Sequence, residues 1–102
     1  MKIKELGTVI AKRELHGYTE GESCVVTIEI GMPFSDDAAW YCPYKITSPY
    51  ADRLSYGAGI DSLQALKIAI SKIAIELETT YAGLHLKWMG ETDLGFPHRN
   101  SI

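Results

Sequence analysis

The sequence predicts an α+β domain in which an antiparallel sheet of four to five strands packs on one long helix, giving two layers. Three features predict it. Residues 8–58 hold short apolar runs of period two, separated by turns rich in Gly, Pro and Asp. Residues 61–81 hold one sustained stripe of period 3.6. At 102 residues and 46% hydrophobic content, the chain fits a single domain, 1–102, with enough apolar side chains for a packed core.

Taken in order, residues 8–15 read as a weakly patterned strand. Residues 16–22 read as a turn in which Gly17 and Gly21 supply positive φ. Residues 23–30 are the clearest strand, with Cys24, Val26, Ile28 and Ile30 on one face and Thr27 and Glu29 on the other. The two strands should form an antiparallel hairpin. Residues 31–37 leave the sheet, since Pro33 cannot serve a central ladder. Residues 40–47 form a third strand with Trp40, Cys42, Tyr44 and Ile46 inward, and Pro43 marks it as an edge or a bulge. Residues 53–58 are a short fourth strand with Leu54 and Tyr56 on one face. A meander of these four is the simplest topology.

Gly57-Ala58-Gly59 is expected to free the chain to turn into the helix. Asp61 is a good N-cap, with Gln64 three residues on completing a capping box. At about 100° per residue, Leu66, Ile70, Ile73, Leu77 and Tyr81 fall on one stripe with Ala69 beside it, and Ile68 and Ile75 fall roughly opposite. Something should therefore cover the back of the helix. Gly83 is expected to close the helix in the left-handed conformation. Residues 84–88 offer a further strand with Leu84, Leu86 and Trp88 alternating. The 94–97 segment is expected to tuck down and the tail 98–102 to be loose.

Net charge is −3, unevenly spread. Residues 14–37 carry Glu14, Glu20, Glu22, Glu29, Asp36 and Asp37 with no lysine or arginine, and they span one strand and two loops where the acids can gather. Such a patch repels nucleic acid and attracts basic proteins. No apolar run approaches the roughly 18 residues that span a bilayer, and the basic first residues lack a signal-peptide h-region. The expected location is cytoplasmic, with no membrane partner. Cys24 and Cys42 are expected to be buried thiols of a reducing compartment.

Catalytic signatures are lacking. His16, His85 and His98 are scattered over a loop, a strand and a tail, without metal-ligand spacing. A Cys42–His85 pair is conceivable, but nothing in the sequence positions the imidazole. The glycine turn before the helix is not a phosphate loop, because Asp61 sits where an anion would bind. The aromatics Trp40, Tyr41, Tyr44, Tyr50 and Tyr56 have only Lys45 and Arg53 beside them, too little positive charge for a single-strand platform. The expectation is no enzyme, no cofactor and no metal.

Three local patterns do point to a family: Tyr41-Cys42-Pro43-Tyr44-Lys45-Ile46, Gly59-Ile60-Asp61-Ser62-Leu63-Gln64-Ala65-Leu66, and Leu86-Lys87-Trp88 followed by Asp93-Leu94-Gly95-Phe96-Pro97. In this order and spacing the chain resembles an uncharacterised bacterial family of roughly hundred-residue proteins classed as a domain of unknown function. The resemblance runs from the first strand to Pro97 and brings no catalytic residues with it. In size, acidity and lack of chemistry the chain is also similar to immunity proteins of contact-dependent toxin systems. That similarity implies a cytoplasmic inhibitor that binds a cognate toxin domain, such as a basic nuclease, and occludes its active site. The expected contacts are Glu20, Glu22, Asp36 and Asp37, then Glu91 and Asp93, with Ile68 and Ile75 as an apolar anchor. Two other readings stand beside it: a structural or adaptor homodimer built on Ile68 and Ile75, and a small-molecule binding module.

Overall fold

The computed structural model describes residues 3–97; the tail predicted to be loose lies outside them. The elements are β1 (Val9–Thr19), β2 (Glu22–Gly31), β3 (Phe34–Asp36), β4 (Ala39–Thr47), β5 (Asp52–Gly59), α1 (Ser62–Thr79) and a 3-10 turn, Ala82–Leu84. All five strands form one antiparallel sheet. With α1 on one face, this is the predicted two-layer α+β architecture.

The period-two faces are as read. Val26, Ile28, Ile30, Cys42, Tyr44 and Ile46 are buried against Ala65, Ala69, Ile73 and Leu77 of the helix. The helix start is also as read. Asp61 Oδ1 accepts from Gln64 N at 2.7 Å, satisfying one orphan donor of the first turn, and Gln64 Oε1 reaches back to accept from Ile60 N at 2.7 Å, one residue before the N-cap.

Several details differ. Phe34–Asp36, read as loop, forms β3 and pairs with Tyr41, Trp40 and Ala39. Its three residues are too few to show a period. Pro43 lies in the most central strand, not at an edge. β5 pairs with all of Trp40–Thr47, while the other edge of β4 is divided between β2, whose last partner is Tyr44, and β3, whose first is Tyr41. Tyr56, opposite Pro43, turns its carbonyl outward to Lys72 Nζ at 2.6 Å. In an antiparallel ladder Pro43 then also faces away from Tyr56, and its missing N–H falls in the gap between β2 and β3, where there is no ladder to break.

Gly57 and Gly59 are not turn residues. They belong to β5 and face the helix, where a Cβ would stand 2.6 Å from Ala65 O and 2.7 Å from Ala65 N respectively. Only glycine lets the helix backbone settle this close. Gly83 does not close the helix either: the C-cap of α1 is Thr80, right-handed at φ −62°, and the left-handed residue is His85, at φ 50°, which closes the 3-10 turn. Residues 84–88 form no strand; they hold two isolated bridges, Lys87 to His16 and Trp88 to Glu91. Under the helix, Tyr44 donates to Glu76, which also pairs with Arg53. Burial, first, and the Glu76 carboxylate, second, push the Tyr44 phenol well above its usual range.

Candidate partner-binding surface

The β1–β2 hairpin is longer than the sheet that supports it. β4 accompanies β2 only over Thr27–Ile30, so residues 15–26 form an arm running past Thr47. Its tip is the two-residue turn Glu20-Gly21, where both φ values are positive, at 52° and 81°. That is the backbone of the hairpin turns whose twist matches the strands. Tyr18 Oη donates to Gly21 O at 2.9 Å and braces the turn. Gly17, expected in the turn, is instead buried in the strand. A Cβ there would lie 2.5 Å from Leu84 O and 2.9 Å from Leu86 Cδ2, so its role is close approach.

The chain after α1 covers the inner face of the arm. Tyr81 and Leu84 are buried there, and Leu86, Trp88, Leu94 and Phe96 pack beside them. His16 and Lys87 exchange backbone hydrogen bonds of 2.9 and 2.7 Å. Arg13 donates to Leu94 O and Gly95 O and stacks on Trp88 at 3.8 Å. Gly95, at φ 77°, leaves room for that guanidinium, and Asp93 Oδ1 accepts from Gly95 N. These contacts account for the Leu86-Lys87-Trp88 and Asp93–Pro97 patterns, and the segment tucks down as expected.

Between Lys87 and the end of this cover the chain makes a second tight turn. Trp88 and Glu91 pair around Met89 and Gly90, at φ 51° and 84°. Methionine is an unusual choice there, since left-handed backbone favours Gly, Asn or Asp. A left-handed non-glycine residue costs of order 1–3 kcal/mol, and Met89 is nonetheless 82% exposed. Along the free side of the arm, Tyr18 is 57% and Val25 44% exposed. Tyr18, Met89, His16, His85 and Lys87 line one cleft of about 540 Å³. Apolar and aromatic side chains held out on a hairpin and its neighbouring turn, beside two tip acids, suit anchoring on a protein.

The predicted acids are not one patch. Glu20 and Glu22 lie at the arm tip. Asp36 and Asp37 lie at the β3–β4 turn, next to Ala39, at the other end of β4. By the strand register the two pairs are roughly 40 Å apart. Antiparallel alternation separates them, because successive turns fall at opposite ends of a sheet. Glu91 sits in the turn beside the cleft, whereas Asp93 is occupied in its own loop. Ile68 and Ile75 are on a flank, not the back. Burial centres on Ala65, Ala69 and Ile73, roughly 100–120° away around the helix. Ile68 is half-buried and Ile75 is 38% exposed, on the side from which Lys72 reaches β5.

The conceivable Cys42–His85 pair is not formed. The Cys42 thiol is buried under the helix, donates to Gly31 O at 3.6 Å, and is pushed up to about 11 by burial. His85 is exposed beside the arm. The sequence did not foresee that His16 and His85 share a cleft. Only the single Lys87 bridge joins their segments, and one pair of residues leaves no periodic trace. Among the described residues, no group of three or more His, Cys, Asp or Glu could hold a metal ion, and no helix is long and apolar enough to cross a membrane.

Residues 11–98 match the model of a family described as Domain of unknown function (DUF6968). No curated protein and no solved structure matches the chain.

Proposed function

The chain belongs to the DUF6968 family, and on the strength of its arm we propose that it is an immunity-type inhibitor, a cytoplasmic domain that docks on a cognate bacterial toxin and occludes its active site. The observation that carries this reading is the braced, acid-tipped arm with Tyr18, Val25 and Met89 exposed along one side. Glu20 and Glu22 would meet the lysines and arginines of a basic site, such as that of a nuclease, and speed encounter. Tyr18 and Met89 would supply the apolar anchor. The separation of the two acid pairs favours an interface at the arm end, without Asp36 and Asp37.

The test is a pull-down from the source bacterium with tagged protein, with mass spectrometry of the eluate. A stoichiometric complex with the C-terminal fragment of a large secreted protein is expected. Glu20→Lys with Glu22→Lys should weaken that complex about tenfold or more, and Asp36→Lys with Asp37→Lys should leave it nearly unchanged. Recovery of the bait alone would overturn the inhibitor reading, and equal sensitivity of both pairs would overturn its placement on the arm.

A further inference from the structure

The two longest edge strands of the sheet, β1 and β5, differ. The edge of β5 is guarded, because Lys72 crosses it and its Nζ donates to Tyr56 O. A lysine laid over an edge is a common defence against strand pairing. The edge of β1 has, among the described residues, no such lysine–carbonyl bond. His16 uses its outward N–H and C=O to pair with Lys87, which shows which way the ladder points. Since alternate residues face the same way, Lys12 and Glu14 also direct their N–H and C=O outward. Among the described residues these groups have no backbone partner.

The side chains of Lys12 and Glu14 stand two apart on the sheet face away from α1. Both are exposed, and neither forms an ion pair among the described residues. An antiparallel strand placed with Arg13 opposite its own copy sets Lys12 against Glu14 and Glu14 against Lys12. The edge is therefore self-complementary in charge about a two-fold axis. The irregularity between Val9 and Ala11 ends the regular ladder at Ala11, one residue before Ile10 would face the Lys87-bridged His16 of the other copy. Facing arginines do not collide, because each guanidinium is already turned onto Trp88 and the Leu94 and Gly95 carbonyls.

We propose that β1 pairs along Ala11–Leu15 with β1 of a second copy, joining two sheets into one of ten strands with the arms pointing in opposite directions. The occupant is a second copy because charge order and strand direction complement themselves there. This inference is independent of the inhibitor reading, since the paired stretch stops short of Tyr18 and Met89.

Sedimentation equilibrium of the full chain at rising concentration tests it. Wild type should show a monomer–dimer equilibrium. Glu14→Lys places like charges opposite each other twice, once per symmetric contact, and should weaken the dimer about tenfold or more. The exchange Lys12→Glu with Glu14→Lys restores both pairs and should restore the dimer to within about threefold of wild type. Lys12→Pro removes an outward donor without touching the β1–β2 ladder and should abolish the dimer with an unchanged circular dichroism spectrum. A wild-type protein monomeric to about 1 mM, or a dimer indifferent to Glu14→Lys and Lys12→Pro, would overturn the proposal.

Discussion

The two ends of the sheet are covered in different ways. Over β4 and β5 the cover is a regular helix that meets the strands almost backbone to backbone, through Gly57 and Gly59 below and Ala65 and Ala69 above. Over the β1–β2 arm and the part of β1 beside it the cover is irregular chain, held by side chains: Arg13 on Trp88 and on two carbonyls, Leu84 and Leu86 on Gly17, and one bridge at Lys87. Contact between backbones has no rotamers with which to adjust. Contact through side chains can give. The exposed Tyr18 and Val25 and the left-handed Met89, the proposed anchors, lie on the end that can give.

The sharpest way to break this contrast is Gly57→Ala. The added methyl meets helix backbone, so the variant should lose about 4 kcal/mol, seen as a fall in urea midpoint at unchanged slope. A loss below about 1 kcal/mol would mean that the helix rides outward freely, and the two ends would then be equally compliant. Arg13→Met should cost less, about 2 kcal/mol, from the lost stacking and carbonyl bonds. Hydrogen exchange should quicken over residues 88–97 and stay unchanged in α1. Equal loss of protection in both would make the ends one cooperative unit. The smallest effect is expected for Met89→Asn, which suits left-handed backbone better and should stabilise by about 0.5–1 kcal/mol. In the inhibitor reading the same variant binds its partner less well, so a more stable protein with unweakened association would remove Met89 from the interface.

The first of these regions was the more legible in the sequence. The alternation of Cys24 to Ile30 and of Trp40 to Ile46 gave the inner faces, and Asp61 with Gln64 gave the helix start, because each is a local regularity. Gly57 and Gly59 were misread as freedom to turn, since a glycine looks the same whether it supplies positive φ or admits a neighbour. Gly17 was misread for the same reason. Over the arm little is periodic. The Lys87 bridge and the Arg13 contacts join residues far apart in sequence, so the cleft between His16 and His85 had no local signature. Of the expected contacts, Glu20 and Glu22 fall on the candidate site. Asp36 and Asp37 do not, because charge counted along a chain ignores which end of the sheet each turn occupies. Ile68 and Ile75 fall on a helix flank, because the glycines of β5 draw the helix down on its alanine side and shift the buried stripe.

Pro43 has a consequence for how this domain tolerates change. The proline stands where β2 has ended and β3 has not begun, so the excursion through Met32 and Pro33 is tied to β4 by no rung at that level. Extra residues placed between Pro33 and Phe34, beyond the Met32 N–H that donates to Thr8 O, would lengthen a detour without shifting either neighbouring register. Loop closure charges little for added length, roughly 0.6 kcal/mol per doubling. The domain therefore contains a natural splice point, a place where an epitope or a fluorescent label could be carried on the side of the sheet remote from the arm tip.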